Sequence, residues 1–214
     1  MIMSSHHNQY HQGLLKYYQF DQQTLVGDVN PGVNPPSIPT PIMGANSLPT
    51  PTNPISLGRI KLKSIRSNDR IELIASVDWG FIASVSVANP FLSLINFDQT
   101  VLLSIIRNDG KVIYQTADTA STLLAVSPST STTPTSSQIF RTTTFKCDDS
   151  NVITRDRKAT YTLTIQALTP AITLTSSVEA EPIVDFLKTS FSIFAFNFDG
   201  KVIDENPHNY YHDC

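Results

Sequence analysis

Apolar and polar residues alternate with a period of two along most of the chain after residue 55. In DRIELIASVDW, Ile71, Leu73 and Val77 fall on one side, while Glu72 and Asp78 fall on the other. This period is typical of half-buried β-strands. The pattern predicts about nine strands, at 58–65, 69–79, 81–88, 100–108, 111–117, 139–147, 159–168, 171–180 and 189–198. With no helix longer than one turn predicted, we expect an all-β protein.

Two copies of the short sequence DGKVI predict turns. Asp-Gly between β-forming residues is typical of a type I′ hairpin turn, which requires positive φ at both central residues. Asp109-Gly110 and Asp199-Gly200 are therefore predicted to reverse the chain. The flanking residues do not match without gaps, so the repeat indicates folding rather than a duplicated unit. Neither Asp lies in a loop of about 12 residues with alternating oxygen ligands, so calcium binding is not predicted.

Composition divides the chain into four segments, one of which is rich in proline. Eight of the 14 prolines lie between residues 31 and 54, and such a stretch favours an extended, polyproline-like backbone. The predicted organisation is a polar His/Gln/Tyr-rich tail at 1–30, a Pro-rich linker or arm at 31–54, a β domain at 55–204 and a Tyr/His/Cys tail at 205–214. Within the first tail, LLKYYQF suits packing locally or against a neighbour.

Two polar stretches interrupt the predicted strands. Residues 119–137 are rich in Ser and Thr and poor in charge, which predicts a long surface loop. That loop is either a mobile tether or a place where a ligand or partner is recognised. Around Asp148, Asp149 and Asp156, the sequence CDDSNVITRDRK is typical of a solvated charged loop, without a paired-acid site.

The charge pattern argues against several classes of partner. Charged residues make up 15% of the chain, the net charge is −3, and Lys and Arg do not gather into a patch of the kind that binds phosphates. We therefore expect no nucleic-acid partner. No run of 18 apolar residues occurs, so no membrane span is expected, and the N-terminus does not resemble a signal peptide. Synthesis in the cytosol is the expectation.

Candidate chemistry is confined to the ends of the chain. The five histidines are His6, His7, His11, His208 and His212. Because the β domain then lacks a histidine base, we predict no enzyme, no catalytic residues and no cofactor. His208, His212 and Cys214 form a weak metal-site candidate, and we expect no metal because two tails would have to converge. Cys147 is predicted to be inert. Cys214 is either an unpaired thiol or an intermolecular crosslink.

Four phenylalanines in the last strand suggest an interface. Phe191, Phe194, Phe196 and Phe198 occupy both faces of a regular strand, so both faces are predicted to be buried. One face meets the opposite sheet; the other meets a subunit partner, unless all the burial is intramolecular. Trp79 is predicted at a turn between two strands, where it covers the core.

Several of these segments together resemble a family of bacterial spore-surface proteins, those similar to exosporium protein C. More loosely, the chain resembles the jelly rolls of the tumour-necrosis-factor-like superfamily. The segments that carry the resemblance are KLKSIRSNDRIELIASVDWG, VLLSIIRNDGKVIYQT, TTTFKCDD, ATYTLTIQA and SFSIFAFNF, which together span roughly residues 57–200.

The resemblance implies an antiparallel jelly-roll sandwich, and the Pro-rich stretch predicts an extended N-terminal arm before it. It also implies a structural, self-assembling protein of the exosporium or coat, made in the mother-cell cytosol. Expected partners are copies of the chain, with a trimer suspected, and other spore-surface proteins held through the arm. The alternative function is a jelly-roll binding module for carbohydrate or a receptor, as on a capsid or fibre tip, using residues 119–137.

Overall fold

The computed structural model describes residues 14–24, 54–87, 93–126, 135–150, 152, 156–168, 171–176 and 184–204. These residues form nine β-strands and no helix. The strands are β1 Leu14–Thr24, β2 Ile55–Leu62, β3 Asp69–Val87, β4 Ser93–Arg107, β5 Val112–Val126, β6 Thr135–Ser150, β7 Ala159–Ala167, β8 Ala171–Ser176 and β9 Val184–Asp204. Within the described ranges, no helix is long and apolar enough to cross a membrane.

The strands form two antiparallel sheets. One sheet has the order β1-β9-β3-β6, and the other has the order β2-β7-β4-β5. β7 and β8 follow one another along the same edge of β4, where they pair with residues 101–107 and 93–98. Together they take the place of one long strand, and the chain then crosses between the sheets as in a jelly roll. The predicted all-β jelly-roll sandwich is confirmed; the Pro-rich arm, apart from residue 54, lies outside the described residues.

The inner faces of the two sheets form one apolar core. On β3, the alternation seen in the sequence places Ile71, Leu73 and Val77 inside, each fully buried. On β7 of the opposite sheet, Leu163 and Ile165 are also fully buried. Each such side chain stabilises the fold by about 1.5–3 kcal/mol when removed from water. The period of two therefore determines which side of each strand the core occupies.

β3 is continuous where the sequence suggested a turn. The predicted strands 69–79 and 81–88 are one strand, because the inward alternation continues through Phe81. Trp79 is fully buried within this strand, and its indole Nε1 donates to Thr143 Oγ1 at 2.8 Å. Trp79 thus belongs to the core itself, and no turn exposes it.

A bulge in β9 corrects the prediction for the four phenylalanines. Asp78 pairs with Ala195 and Trp79 pairs with Ile193, so Phe194 is an extra residue between two regular stretches. An extra residue reverses which side chains point inward. The bulge brings residues 191, 196 and 198 to the same buried inner face and turns Phe194 outward. Regular alternation would place Phe191 opposite Phe196 and Phe198, and that assignment is wrong. Burial of the outer face by a subunit partner stays a prediction.

The chain reverses between β4 and β5 at residues 108–110. The Arg107 carbonyl accepts from Gly110 N, and Arg107 N donates to the Lys111 carbonyl, both at 2.9 Å. Gly110 has a φ of 85°, whereas Asp109 does not have a positive φ. This three-residue loop is a type I turn followed by a glycine bulge, not the predicted type I′ turn.

Asp199-Gly200 does not form the predicted turn. Both residues lie inside β9, where Gly200 pairs with Leu73 on one side and with Gln19 on the other. A Cβ on Gly200 would lie 2.4 Å from Ile60 Cδ1 of the opposite sheet. This glycine therefore allows close approach of the two sheets, which is a different role from turning the chain.

Two segments expected outside the strands belong to the sheets. Residues 14–24 form β1 and pair with β9, so the sandwich includes a strand before the predicted start at residue 55. Residues 119–126 continue β5 along β4, and residues 135–137 belong to β6, so most of the predicted loop at 119–137 is strand. Ser and Thr suit extended backbone, which is why polar composition misled the prediction.

Candidate interaction face

The outer surface of sheet β1-β9-β3-β6 carries exposed apolar side chains. On β1, Tyr18 is 46% and Phe20 is 53% exposed, and their rings lie 6.0 Å apart. Leu15 on the same strand is also largely exposed. Towards β6, Phe140 is 54% exposed and contacts Phe194. We call this surface, defined by Leu15, Tyr18, Phe20, Phe140 and Phe194, the aromatic face.

Two lysines neutralise Glu72 on the aromatic face. Glu72 lies at 2.6 Å from Lys146 and at 3.3 Å from Lys201, nitrogen to oxygen. The Lys146 hydrogen bond, against a smaller opposing effect of burial, holds the pKa of Glu72 below its usual value. The Tyr18 hydroxyl donates to Asp199 at 2.7 Å, and this bond raises the pKa of Tyr18. Paired charges make a face less costly to bury than isolated ones.

The second group of aromatic residues encloses an open hollow. The rings of Phe140 and Phe194 lie 5.1 Å apart and are tilted by 59°. Asp78 lies beside them and accepts a hydrogen bond from Thr142 Oγ1 at 2.6 Å. The hollow has a volume of about 250 Å³ and is lined by Asp78, Trp79, Phe140, Arg141, Thr142 and Phe194. We call it the aromatic hollow.

Two backbone features shape this hollow. The β9 bulge turns Phe194 outward, and Gly80 on β3 leaves room for the two rings. A Cβ at Gly80 would lie 3.0 Å from Phe194 Cε2, 3.1 Å from Phe140 Cδ1 and 2.4 Å from the Ile139 carbonyl oxygen. A glycine within a strand thus marks a close approach of neighbouring groups. The hollow depends on the absence of a side chain here.

A buried ion pair joins the two sheets. Asp149 on β6 is 3% exposed and accepts from Arg107 Nη1 at 2.8 Å and from the Tyr161 hydroxyl at 2.9 Å. Burial, followed by the Asp149 charge, raises the pKa of Tyr161. Arg107 also binds the turn residue Asp109 and lowers the pKa of that carboxyl to about 2. Asp149 was predicted in a solvated loop; it is instead a buried acceptor whose donors come from the opposite sheet.

Side chains of β1 close one side of the sandwich. Asp21 Oδ2 accepts from the backbone N–H of Arg59 at 2.8 Å, and Gln19 Oε1 accepts from that of Lys61 at 3.0 Å. These side chains bind backbone N–H groups at the edge of β2 that does not face β7, so another strand cannot pair there. At the end of β1, Lys16 Nζ lies 2.7 Å from the buried carboxylate of Asp69.

The predicted thiol and metal sites can be placed only in part. Cys147 lies half-buried on β6 as a free thiol, and burial, followed by the charges of Asp148 and Asp149, raises its pKa to about 12. A thiol with such a pKa is scarcely ionised near neutral pH. Cys214, His208 and His212 lie outside the described residues. Among the residues described, no group of three or more His, Cys, Asp and Glu is arranged to hold a metal ion.

The interaction face was only partly visible in the sequence. The LLKYYQF segment indicated a surface that packs against something, and it contains Tyr18. Phe140 directly follows Ile139 in QIFRTTT. Because consecutive residues of a strand point to opposite faces, one of these two apolar side chains had to point outward. No sequence signal placed Asp78 beside Phe194, because that proximity requires the bulge in β9.

The fold and this face define a jelly-roll protein with one aromatic outer surface. A scan against protein-family models and a search of curated proteins found no match to the chain. The spore-surface resemblance therefore stays a prediction from the sequence.

Proposed function

We propose that the protein is a structural, non-catalytic component that assembles with copies of itself. The observation that carries this proposal is the aromatic face, where Tyr18, Phe20 and Phe140 are each about half exposed. Clustered exposed apolar groups are typical of interaction sites on soluble domains. Aromatic residues are also the side chains most enriched in interfaces between proteins.

The charge arrangement supports a face that becomes covered. Glu72 has two lysine partners, and Asp148 lies 3.4 Å from Arg70. Because these charges already have partners within the subunit, covering them leaves fewer unpaired charges. A self-associating surface needs this property, since a second copy brings the same charges.

A non-catalytic role is supported by how the buried polar groups are used. Asp149 is held by Arg107 and Tyr161, and Asp69 accepts from Lys16 and from the backbone N–H of Arg66. Buried groups with such partners rigidify a fold. The raised pKa of Cys147 likewise fits an unreactive thiol.

The place of assembly that we propose is the spore surface, in the exosporium or coat. The support for this is the sequence resemblance across residues 57–200. On this proposal the chain is made in the mother-cell cytosol, and its oligomer is a trimer. The arm at 31–54 contacts other surface proteins, and Cys214 supplies a crosslink.

Light scattering of the full-length chain, with and without reductant, tests the proposal. We expect an oligomer in both conditions and a shift towards monomer in the Tyr18→Ser/Phe20→Ser double variant. Each large side chain that leaves an interface should weaken association by about 1.5–3 kcal/mol, or more than tenfold. The matched control is Val112→Ser/Leu123→Ser, because both residues are exposed on strand β5 of the other sheet. A monomeric wild-type chain would refute self-assembly.

The second candidate is a jelly-roll module that binds carbohydrate or a receptor. This function was predicted to use residues 119–137, and β5 and β6 now account for most of that segment. The observation in its favour is the exposed Phe140 ring beside polar groups of the aromatic hollow. Specific retention on immobilised glycans, lost in Phe140→Ala, would favour this candidate over the first.

A further inference from the structure

The aromatic hollow contains a carboxylate for which the described part of the chain supplies no cationic partner. Asp78 accepts one hydrogen bond, from Thr142, and no Lys or Arg of the described residues forms an ion pair with it. The neighbouring Arg141 is bound to Asp118 at 2.9 Å. The net charge left within the hollow is therefore negative, beside two phenylalanine rings.

Aromatic rings beside a carboxylate form a site for an organic cation. A cation within about 6 Å of a ring centroid is attracted to the negative face of the ring. Phe140 offers an exposed ring, and Asp78 offers opposite charge and hydrogen-bond acceptors. An alkylammonium or guanidinium group matches both features, whereas a neutral ligand would leave the Asp78 charge without a partner.

Cations without acid partners are present on another part of the same chain. Arg59, Lys61 and Lys63 are exposed and follow one another at every second position, on β2 and directly after it. No carboxylate of the described residues forms an ion pair with any of the three. The β1 side chains that bind the backbone N–H groups of residues 59 and 61 hold this strand in place. We call these three residues the basic edge.

We propose that the aromatic hollow binds a lysine or arginine side chain from the basic edge of a second copy of the chain. This inference rests on the proposed self-assembly and specifies one of its contacts. The hollow lies on sheet β1-β9-β3-β6, and the basic edge belongs to an outer strand of the other sheet. A contact between two different surfaces is heterologous, so it joins copies head to tail and closes into a ring or continues as a filament.

Two full-length variants test the contact by light scattering. Asp78→Asn removes the charge of the hollow, and Arg59→Gln/Lys61→Gln/Lys63→Gln removes the charges of the basic edge. We expect each variant to associate about twofold to fivefold more weakly than the wild type, as for the loss of a partly exposed ion pair. Asp156→Asn is the matched control for the first variant, because Asp156 is an exposed aspartate in the turn before β7 and is not part of the aromatic face. It should associate like the wild type.

Mixing the two variants distinguishes a head-to-tail contact from a symmetric one. The Asp78→Asn chain keeps its basic edge, and the triple variant keeps its hollow, so a mixture can form one intact contact. We expect a dimer that contains one chain of each variant, and this contact should not build any larger assembly. If Asp78→Asn associated as strongly as the wild type, this inference would be overturned, whereas the proposed self-assembly would not. A mixture that formed no more dimer than either variant alone would have the same consequence.

A nuclear magnetic resonance titration tests the chemistry of the hollow separately. Butylammonium chloride added to the full chain should shift the aromatic signals of Phe140 and Phe194, whereas sodium chloride at equal ionic strength should not. Asp78→Asn should reduce the shifts, and Asp156→Asn should not. Equal shifts with both salts would overturn the cation site. A wild-type chain that remains monomeric would overturn self-assembly and the second copy as the occupant.

Discussion

The two outer surfaces of the sandwich differ sharply in composition. The aromatic face carries exposed aromatic rings and a network of paired charges. On the other sheet, the outward positions of β7 are Thr160, Thr162 and Thr164, alternating with buried apolar residues. On the strands β4 and β5 of the same sheet, the hydroxyl oxygens of Thr100 and Thr119 lie 2.8 Å apart. We call the part of this second surface around β7 the threonine face, where small uncharged polar side chains predominate. Arg59 and Lys61 of β2 border it on one side, and the exposed Val112 and Leu123 lie on β5 of the same sheet.

This difference separates what the fold requires from what a surface adds. Both sheets bury the same kind of inner face, since the core needs apolar side chains from each. Threonine satisfies the outer side of a strand with good β-propensity and local hydrogen bonds. The aromatic face instead carries large rings, and the β9 bulge and Gly80 make room for two of them. This difference is the reason why we propose the aromatic face as the surface of assembly.

The largest expected loss of stability comes from removing Asp149, which joins the two sheets through Arg107 and Tyr161. Asp149→Ala removes the buried acceptor of Arg107 and Tyr161. It leaves the Tyr161 hydroxyl buried without this acceptor, and leaves the Arg107 guanidinium with the exposed Asp109 as its remaining ion-pair partner among the described residues. We expect a loss of about 3–5 kcal/mol in the free energy of unfolding, measured in urea. Asp148→Ala, its exposed neighbour on β6, should cost less than about 1 kcal/mol. Equal losses for the two variants would contradict the role of the buried pair.

Enlarging one small side chain on each face should distinguish the two faces next. Gly80→Ala on the aromatic face brings a Cβ against the backbone oxygen of Ile139, so the strands must shift. We expect a cost of about 1–3 kcal/mol from such overpacking. Ala117 is exposed on β5, in the sheet that carries the threonine face. The free energy of unfolding of Ala117→Val should be within about 0.5 kcal/mol of that of the wild type. Thermal and urea unfolding measure both, and a neutral Gly80→Ala would mean that the hollow adapts easily.

Acid should weaken the charge network of the aromatic face. The lysine partners of Glu72 lower its pKa, so its contribution is complete above the ordinary glutamate pKa of about 4.3 and is lost as the pH falls through the lower folded value. Glu72→Gln should cost about 1 kcal/mol at neutral pH.

Stability profiles from pH 7 to pH 2 provide the check on Glu72. The profile of Glu72→Gln should be less steep on the acid side than that of the wild type. Parallel profiles would show that Glu72 titrates alike in the folded and unfolded chains.

The smallest effect is expected on the threonine face. Thr162→Val keeps the shape and the β-propensity of the side chain, and Thr162 is a half-buried position of β7 with its side chain outward. We expect a change within about 0.5 kcal/mol in urea unfolding and no change in solution mass. Thr162 pairs with Arg59 of the basic edge, so a changed solution mass would show that the contact of the basic edge extends onto the threonine face. A loss above about 1 kcal/mol would show that Thr162 makes a specific contact within the sandwich.

Local pattern predicted the core better than it predicted the ends and irregularities of strands. The alternation around Leu73 identified the inner side of β3, because burial on one face imposes a period of two. The same reasoning failed at Phe194, since one extra residue shifts the register without leaving a sequence mark. Asp199-Gly200 shows a second limit: its letters match a turn, yet its glycine serves contact with Ile60 of the other sheet.

The candidate site was predictable only in fragments. RIKLK showed that Arg59, Lys61 and Lys63 share one side of a strand, and LLKYYQF showed an apolar segment near the N-terminus. Neither pattern revealed that residues 14–24 complete the sheet beside β9. That pairing joins residues about 180 positions apart, for example Tyr18 to Asp199, and strand propensity carries no information about distant partners.

By itself, the sequence determined the all-β class, the period of the strands and the inward positions of the core. These follow from local rules, because side chains alternate along every strand and apolar ones avoid water. Only the tertiary structure decided that β1 joins the sandwich, that Asp149 is buried between the sheets and that Asp78 lies beside Phe140 and Phe194. Those features depend on strand order and on one bulge, and both arise from packing of the whole chain.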